Sequence, residues 1–269
     1  MKALIALLRR VCTVYARFFI MRVLKILGAI LLVGILALAV FAYSLHEPRP
    51  QGTPGPEADA LARSMETAVH KEAWDRTNVV RWSFFEEHHY VWDKQRGLVQ
   101  IEWGESRALF RTADQSGRVW SKGTEQTGED LERALKTAYS YWINDSFWLN
   151  PVVKLFDPGV ERALVELEDG RDALLVTYTS GGVTPGDAYL WIPGPSGLPE
   201  AWRMWVRIIP IGGIKATWEG WVDLSTGAKI STQHSAAGHR MTFITDLAGG
   251  QSLEALELDP GLFDPLSHD

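Results

Sequence analysis

Residues 80–103, VRWSFFEEHHYVWDKQRGLVQIEW, decide the fold. Val80, Trp82 and Phe84 alternate with Arg81 and Ser83, and Val99, Ile101 and Trp103 alternate with Gln100 and Glu102. Successive side chains of a strand point to opposite faces, so each run offers one apolar face. Lys94-Gln95-Arg96-Gly97 separates the two runs. Gly104-Glu105 and Asp114-Gln115-Ser116-Gly117 separate the runs that follow, including a shorter one at 119–122. Turn signals between short alternating runs predict an antiparallel meander.

Outward from this block the period changes. Upstream, Leu61, Met65 and Val69 recur every four residues within 57–73, which predicts an amphipathic helix with Trp74 packed at its end. Downstream, Leu131, Ala134, Leu135, Ala138 and Trp142 follow helical spacing over 128–142, with Thr127 placed as N-cap and Asp130 in the first turn. The apolar stretch 146–156 predicts one or two more helical turns starting at Pro151. Alternation then resumes at 160–168 and 173–178 around Asp169-Gly170, and again at 188–192, 201–208, 214–224, 229–234 and 239–246. The tail from Gly249 reads as an irregular strap. The plan is α+β: a large curved antiparallel sheet, a half-barrel of about 11 strands, with two helices on its concave side.

Residues 26–43 (ILGAILLVGILALAVFAY) carry no charge. As a helix, this stretch would rise about 27 Å, near the thickness of a bilayer's hydrocarbon core. Lys2, Arg9, Arg10, Arg17, Arg22 and Lys25 precede it, with no acid before Glu47. The positive-inside rule makes 1–25 a cytoplasmic basic segment, 26–43 a transmembrane anchor or signal sequence, and the rest extracytoplasmic. Met21 is an alternative start, and Ala37-Leu38-Ala39 and Val40-Phe41-Ala42 resemble cleavage sites. Residues 44–56, rich in proline and glycine, form a spacer before a domain over 57–269.

Residues 1–45 hold six of the 27 basic side chains and none of the 33 acidic ones, so the remainder has a net charge of −12. That charge repels phosphate backbones and argues against nucleic-acid binding. The single cysteine, Cys12, precedes the apolar run, which rules out disulfides and cysteine chemistry in the domain. No nucleophile elbow, zinc-protease motif or phosphate loop is present. His88, His89 and Asp93 cluster, but strand period points His89 and Asp93 to one face and His88 to the other. Zinc needs three or four protein ligands, so these residues read as a polar strand face. His234 and His239 flank a turn without a third ligand and read as surface or capping residues. Asn144-Asp145-Ser146 matches a glycosylation acceptor. Catalytic residues, metal and cofactor are all expected to be absent.

All 12 tryptophans lie beyond the apolar segment. Trp202, Met204, Val206 and Ile208 share one strand face, and Arg203, Trp205 and Arg207 share the other. Large apolar groups on both faces point either to a ligand cavity or to tryptophans packed under the helices. The candidate lining residues are Trp148, Trp191, Trp202, Trp205 and Trp218.

Two stretches carry a family resemblance. FWLNP at 147–151 running through KLFDPGV at 154–160, and GVTPGDAYLW at 182–191 followed by GLP at 197–199, resemble signatures of uncharacterised bacterial proteins related to the LolA/LolB lipoprotein-carrier superfamily. Val152 and the Pro193-Gly194-Pro195 turn depart from the family pattern. The resemblance implies an unclosed antiparallel barrel with helices over an apolar concave face that holds acyl chains. The expected protein is a periplasmic binder of a lipid or an acylated protein. It would be tethered to the inner membrane by a single pass, or released into the periplasm on cleavage, and would not be an enzyme. Two alternatives are an envelope interaction module with a filled core, and a periplasmic hydrolase with scattered residues.

Overall fold

The computed structural model describes residues 21–22, 24–37, 40–41, 43–180 and 184–267. The chain divides into two units, residues 1–47 and 48–269. In the first unit, residues 24–37 are helical and exposed. Among the described residues no helix is long and apolar enough to cross a membrane. Leu38, Ala39 and Ala42 of the expected span, and residues 1–20 and 23 of the basic segment, lie outside the described residues.

The second unit is α+β, with two antiparallel sheets where one was expected. In the first sheet, β1 (Val79–Phe84), β2 (His88–Asp93), β3 (Leu98–Trp103), β4 (Ser106–Arg111), β5 (Gly117–Ser121) and β6 (Thr124–Glu125) follow in chain order. The last strand, β15 (Ile244–Gly250), pairs with β1 at its edge. The second sheet runs β7 (Val160–Glu166), β8 (Asp172–Tyr178), β9 (Ala188–Pro193), β10 (Pro199–Trp205), β11 (Ile214–Thr217), β13 (Lys229–Ala236) and β12 (Glu219–Asp223), with β14 (His239–Thr242) on β13. The helices are α1 (Pro56–Ala68), α2 (Lys71–Arg76) and α3 (Gly128–Leu149). No barrel closes.

Two aromatic corners each split one expected run into two strands. The runs expected at 214–224 and 239–246 break at Trp218 and Phe243, which are only 3% and 8% exposed. Each break swings a large ring into the core, and that burial outweighs one continued rung of the ladder. At Phe243 the chain passes from one sheet to the other. Its N–H donates to Thr232 O at 3.0 Å, and its carbonyl accepts from Phe85 N–H at 2.9 Å, so the crossing leaves no backbone group unpaired.

The helices differ from expectation in three ways. The segment 57–73 is two helices, parted at Val69 and His70, where His70 takes φ 55°. There the Val69 carbonyl accepts from Lys229 N–H at 3.1 Å. α3 continues past 142 to Leu149 and stops before Pro151, which opens the short 3-10 turn Pro151–Lys154. Thr127 occupies the N-cap position, but its side chain makes no capping hydrogen bond.

One core draws on both sheets and all three helices, including Met65, Trp74, Trp142 and Leu149. Part of the outer face of the first sheet is apolar, where the C-terminal strap covers it: Leu253, Leu256, Phe263 and Leu266 pack on Val79, Val91 and Leu109. The spacer is also docked. Thr53 and Leu164 exchange two backbone hydrogen bonds of 2.8 Å, and Arg49 donates to Thr177 Oγ1.

Candidate functional site

Four of the five candidate tryptophans meet in the core. Trp191 and Trp202 come from adjacent strands in direct register, with ring centroids 4.8 Å apart. Trp218, at the β11–β12 corner, lies 4.9 Å from Trp202 and 5.1 Å from Trp191. Trp148, on the last turn of α3, reaches down to Trp202 at 4.9 Å and Trp218 at 6.0 Å. Trp205 does not join them. Three residues from Trp202 along β10, it points to the opposite face and packs with Val165, Leu175 and Leu190.

His234 belongs to this cluster and is not a surface residue. Its ring is fully buried, 4.5 Å from Trp218, 4.6 Å from Phe243 and 5.2 Å from Trp148. Nδ1 lies 2.9 Å from the Thr217 carbonyl, so it carries the proton and donates. Burial holds the imidazole pKa down at about 4, so the ring is neutral and Nε2 keeps its lone pair. His234 faces Met241 across the hairpin and not His239, which is exposed.

The interior is rich in polar atoms without partners. The indole nitrogens of Trp82, Trp92, Trp142, Trp191, Trp202 and Trp218, the Tyr178 hydroxyl and His234 Nε2 have no hydrogen-bond partner among the described residues. Buried N–H groups are ordinarily paired, so such a concentration marks places where an acceptor from outside the chain would be stabilised.

A polar latch fixes α3 over this interior. Asp145 is 2% exposed and lies on the buried stripe of α3, three residues past Trp142 and four before Leu149. Its Oδ2 accepts from Tyr90 Oη at 2.6 Å and from His88 Nδ1 at 2.7 Å, and its Oδ1 accepts from Asn144 Nδ2 at 2.8 Å. The His88 ring stacks on Tyr141 at 4.2 Å, and Tyr90 stacks on Trp82 at 4.5 Å. Burial and the adjacent Asp145 carboxylate raise the Tyr90 pKa strongly, so its hydroxyl stays a donor. In the sequence Asp145 stands out only as the middle residue of a glycosylation pattern. The available signal was a carboxylate at helical spacing on an apolar stripe.

Among the described residues, no group of three or more His, Cys, Asp or Glu stands together as a metal site. Two surface hollows lie elsewhere. One, of about 730 Å³, lies between the docked spacer and the outer face of β7 and β8, and another, of about 440 Å³, lies on the outer face of β1 and β2. The aromatic interior is filled by its own side chains. It can bury hydrocarbon and offer N–H donors only where a wall moves.

No family model matches the chain. No curated protein matches it either. Among solved structures, a DUF1329 family protein from Desulfovibrio piger is 11% identical with a TM-score of 0.38, over 77% of this chain and 98% of its own. A putative outer membrane lipoprotein-sorting protein domain from Vibrio parahaemolyticus is 7% identical with a TM-score of 0.30, over 76% of this chain and 99% of its own.

Proposed function

We propose that this chain is a non-enzymatic envelope protein that holds a lipid, or the acyl chain of an acylated protein, in the aromatic interior beneath α3. The observation that supports this reading is the set of unpaired indole N–H groups facing one apolar core. Each methylene buried there would contribute about 0.8 kcal/mol, and an ester or amide carbonyl of the ligand would accept from the indoles. The movable wall in this reading is α3 with the Pro151–Lys154 turn. The helix brings Trp148 into the core from one end, and the Asp145 latch pairs it with β2. The apolar segment 26–43 would tether the domain on the periplasmic side of the inner membrane.

Native mass spectrometry of the protein purified from membranes, followed by organic extraction, tests the ligand. A bound mass in the lipid range supports the proposal. An apo mass with no uptake of added phospholipid or acylated peptide overturns it in favour of an interaction module, the reading that the filled core favours. Protease accessibility of a C-terminal tag in spheroplasts tests the tether: digestion without lysis is expected, and protection overturns the topology.

A further inference from the structure

The outer face of the first sheet carries a second constellation, separate from the interior. Opposite Trp82, the pairing of β15 slips: Arg81 faces Ala248 and Ser83 faces Thr245, so Asp246 and Leu247 form a bulge. Asp246 takes φ 48°, a left-handed conformation that costs a non-glycine residue about 1 kcal/mol or more. Bulges re-aim side chains. This one turns the Asp246 carboxylate onto Ser83, whose Oγ donates to Oδ2 at 2.9 Å. Ser83 is 2% exposed, and its one hydroxyl proton is used there. The 2.8 Å contact between Ser83 Oγ and His89 Nδ1 must therefore run from Nδ1–H to Oγ. The chain Asp246–Ser83–His89 thus fixes the imidazole tautomer, and in the neutral ring Nε2 carries the lone pair.

That imidazole lines the groove of about 440 Å³, together with Arg81, Gln100, Val91 and Leu258. Gln100 Oε1 is buried and has no donor among the described residues, while its Nε2 reaches Glu102 at 3.5 Å. The groove therefore offers two acceptors in need of donors, His89 Nε2 and Gln100 Oε1. It adds the donor-rich Arg81 guanidinium, whose Nε donates to the Asp246 backbone carbonyl at 3.5 Å, the Asp246 carboxylate of opposite charge, and an apolar wall at Val91 and Leu258. We infer that this groove is a binding site for a neutral, hydroxyl-rich ligand, a sugar or polyol. Its hydroxyls would donate to His89 Nε2 and Gln100 Oε1 and accept from Arg81. Its C–H face would rest on Leu258 and Val91.

The test is carbethoxylation of the full-length protein by diethyl pyrocarbonate, read by peptide mass spectrometry, with exposed His239 as internal reference. The reagent attacks a neutral imidazole nitrogen with a free lone pair. His89 is expected to react several-fold faster than His239. Ser83→Ala and Asp246→Asn should each remove that excess while near-ultraviolet circular dichroism stays unchanged. N-acetylglucosamine, added as the probe, should slow His89 several-fold and leave His239 unaffected. Equal rates at the two histidines, or no protection of His89 by N-acetylglucosamine or by glycerol, would overturn the proposal. If either variant loses the dichroism signal, the test rests on Gln100→Ala, which should abolish sugar protection while leaving the fast His89 rate in place. Protection that survives in Gln100→Ala also overturns it.

Discussion

His88 Nδ1 stands 2.7 Å from Asp145 Oδ2, and this pairing ties the first residue of β2 to the buried face of α3. A carboxylate 2% exposed is tolerable in an apolar core only because three donors surround it: His88, Tyr90 and Asn144. The same contacts set the rotation of α3 about its axis, since a turn of one residue would carry Asp145 away from β2 and Trp142 away from Trp92.

Removing one side of this latch is costly. Tyr90→Phe and His88→Ala each delete one donor to the buried carboxylate and should each lower stability by about 1–3 kcal/mol. Urea unfolding followed by tryptophan fluorescence measures both. A loss below 0.5 kcal/mol for each variant would show that the latch contributes nothing to the docking of α3.

His234 gives the protein an acid-sensitive core. Its folded pKa is about 4, against an unfolded value near 6.5. Between those values the unfolded chain binds the extra proton, so stability is complete above about 6.5 and falls as pH drops towards about 4, by roughly 3 kcal/mol in all. In His234→Leu the part of the pH slope in that window should disappear. An unchanged slope in that variant would assign the effect to other groups.

Burial against the Trp74 ring, 4.0 Å away, lowers the Lys94 pKa to about 8. The unfolded chain holds this proton to about 10.4, so Lys94 should make stability rise with pH from about 8 to 10.4. A titration of the Lys94 side chain by heteronuclear NMR should give a midpoint near the lower value; a midpoint above 10 would refute the burial.

The two tryptophans of β10 should behave differently. Trp202→Ala opens a cavity under Trp148, Trp191 and Trp218 and should cost about 3–5 kcal/mol. Trp205→Ala, on the opposite and partly exposed face, should cost clearly less. If the interior holds lipid, a chain carrying Trp205→Ala should still retain it, and equal losses in the two variants would contradict the placement of these rings.

Gly117 is required by close approach: a Cβ there would lie 2.2 Å from Leu109 O. Gly117→Ala should push β5 from β4 and destabilise by about 1–3 kcal/mol, an overpacking cost visible in thermal unfolding.

Much of this was legible in the chain. The period-two runs around 80–103 place Val80, Trp82 and Phe84 on the core face and Arg81 and Ser83 on the opposite face, as the structure has them. The same rule separates His88 from His89, and Trp202 from Trp205. The spacing from Leu131 to Trp142 locates α3. These features depend on the direction of a side chain relative to its own backbone, which local geometry fixes.

What local geometry does not fix is where an element ends when a distant group competes for its backbone or its side chain. Trp218 and Phe243 continue their alternating runs in sequence, yet both become corners, because His234 and Trp148 form a pocket that only the assembled sheets create. Asp145 reads as a polar residue in a glycosylation pattern until β2 brings Tyr90 and His88 to it across more than fifty residues. Sequence alone determined the α+β plan and the facing of its side chains. The division into two sheets, the buried His234 and the latch on Asp145 were decided by tertiary structure, because burying a ring or pairing a carboxylate is a free energy shared between residues far apart in the chain.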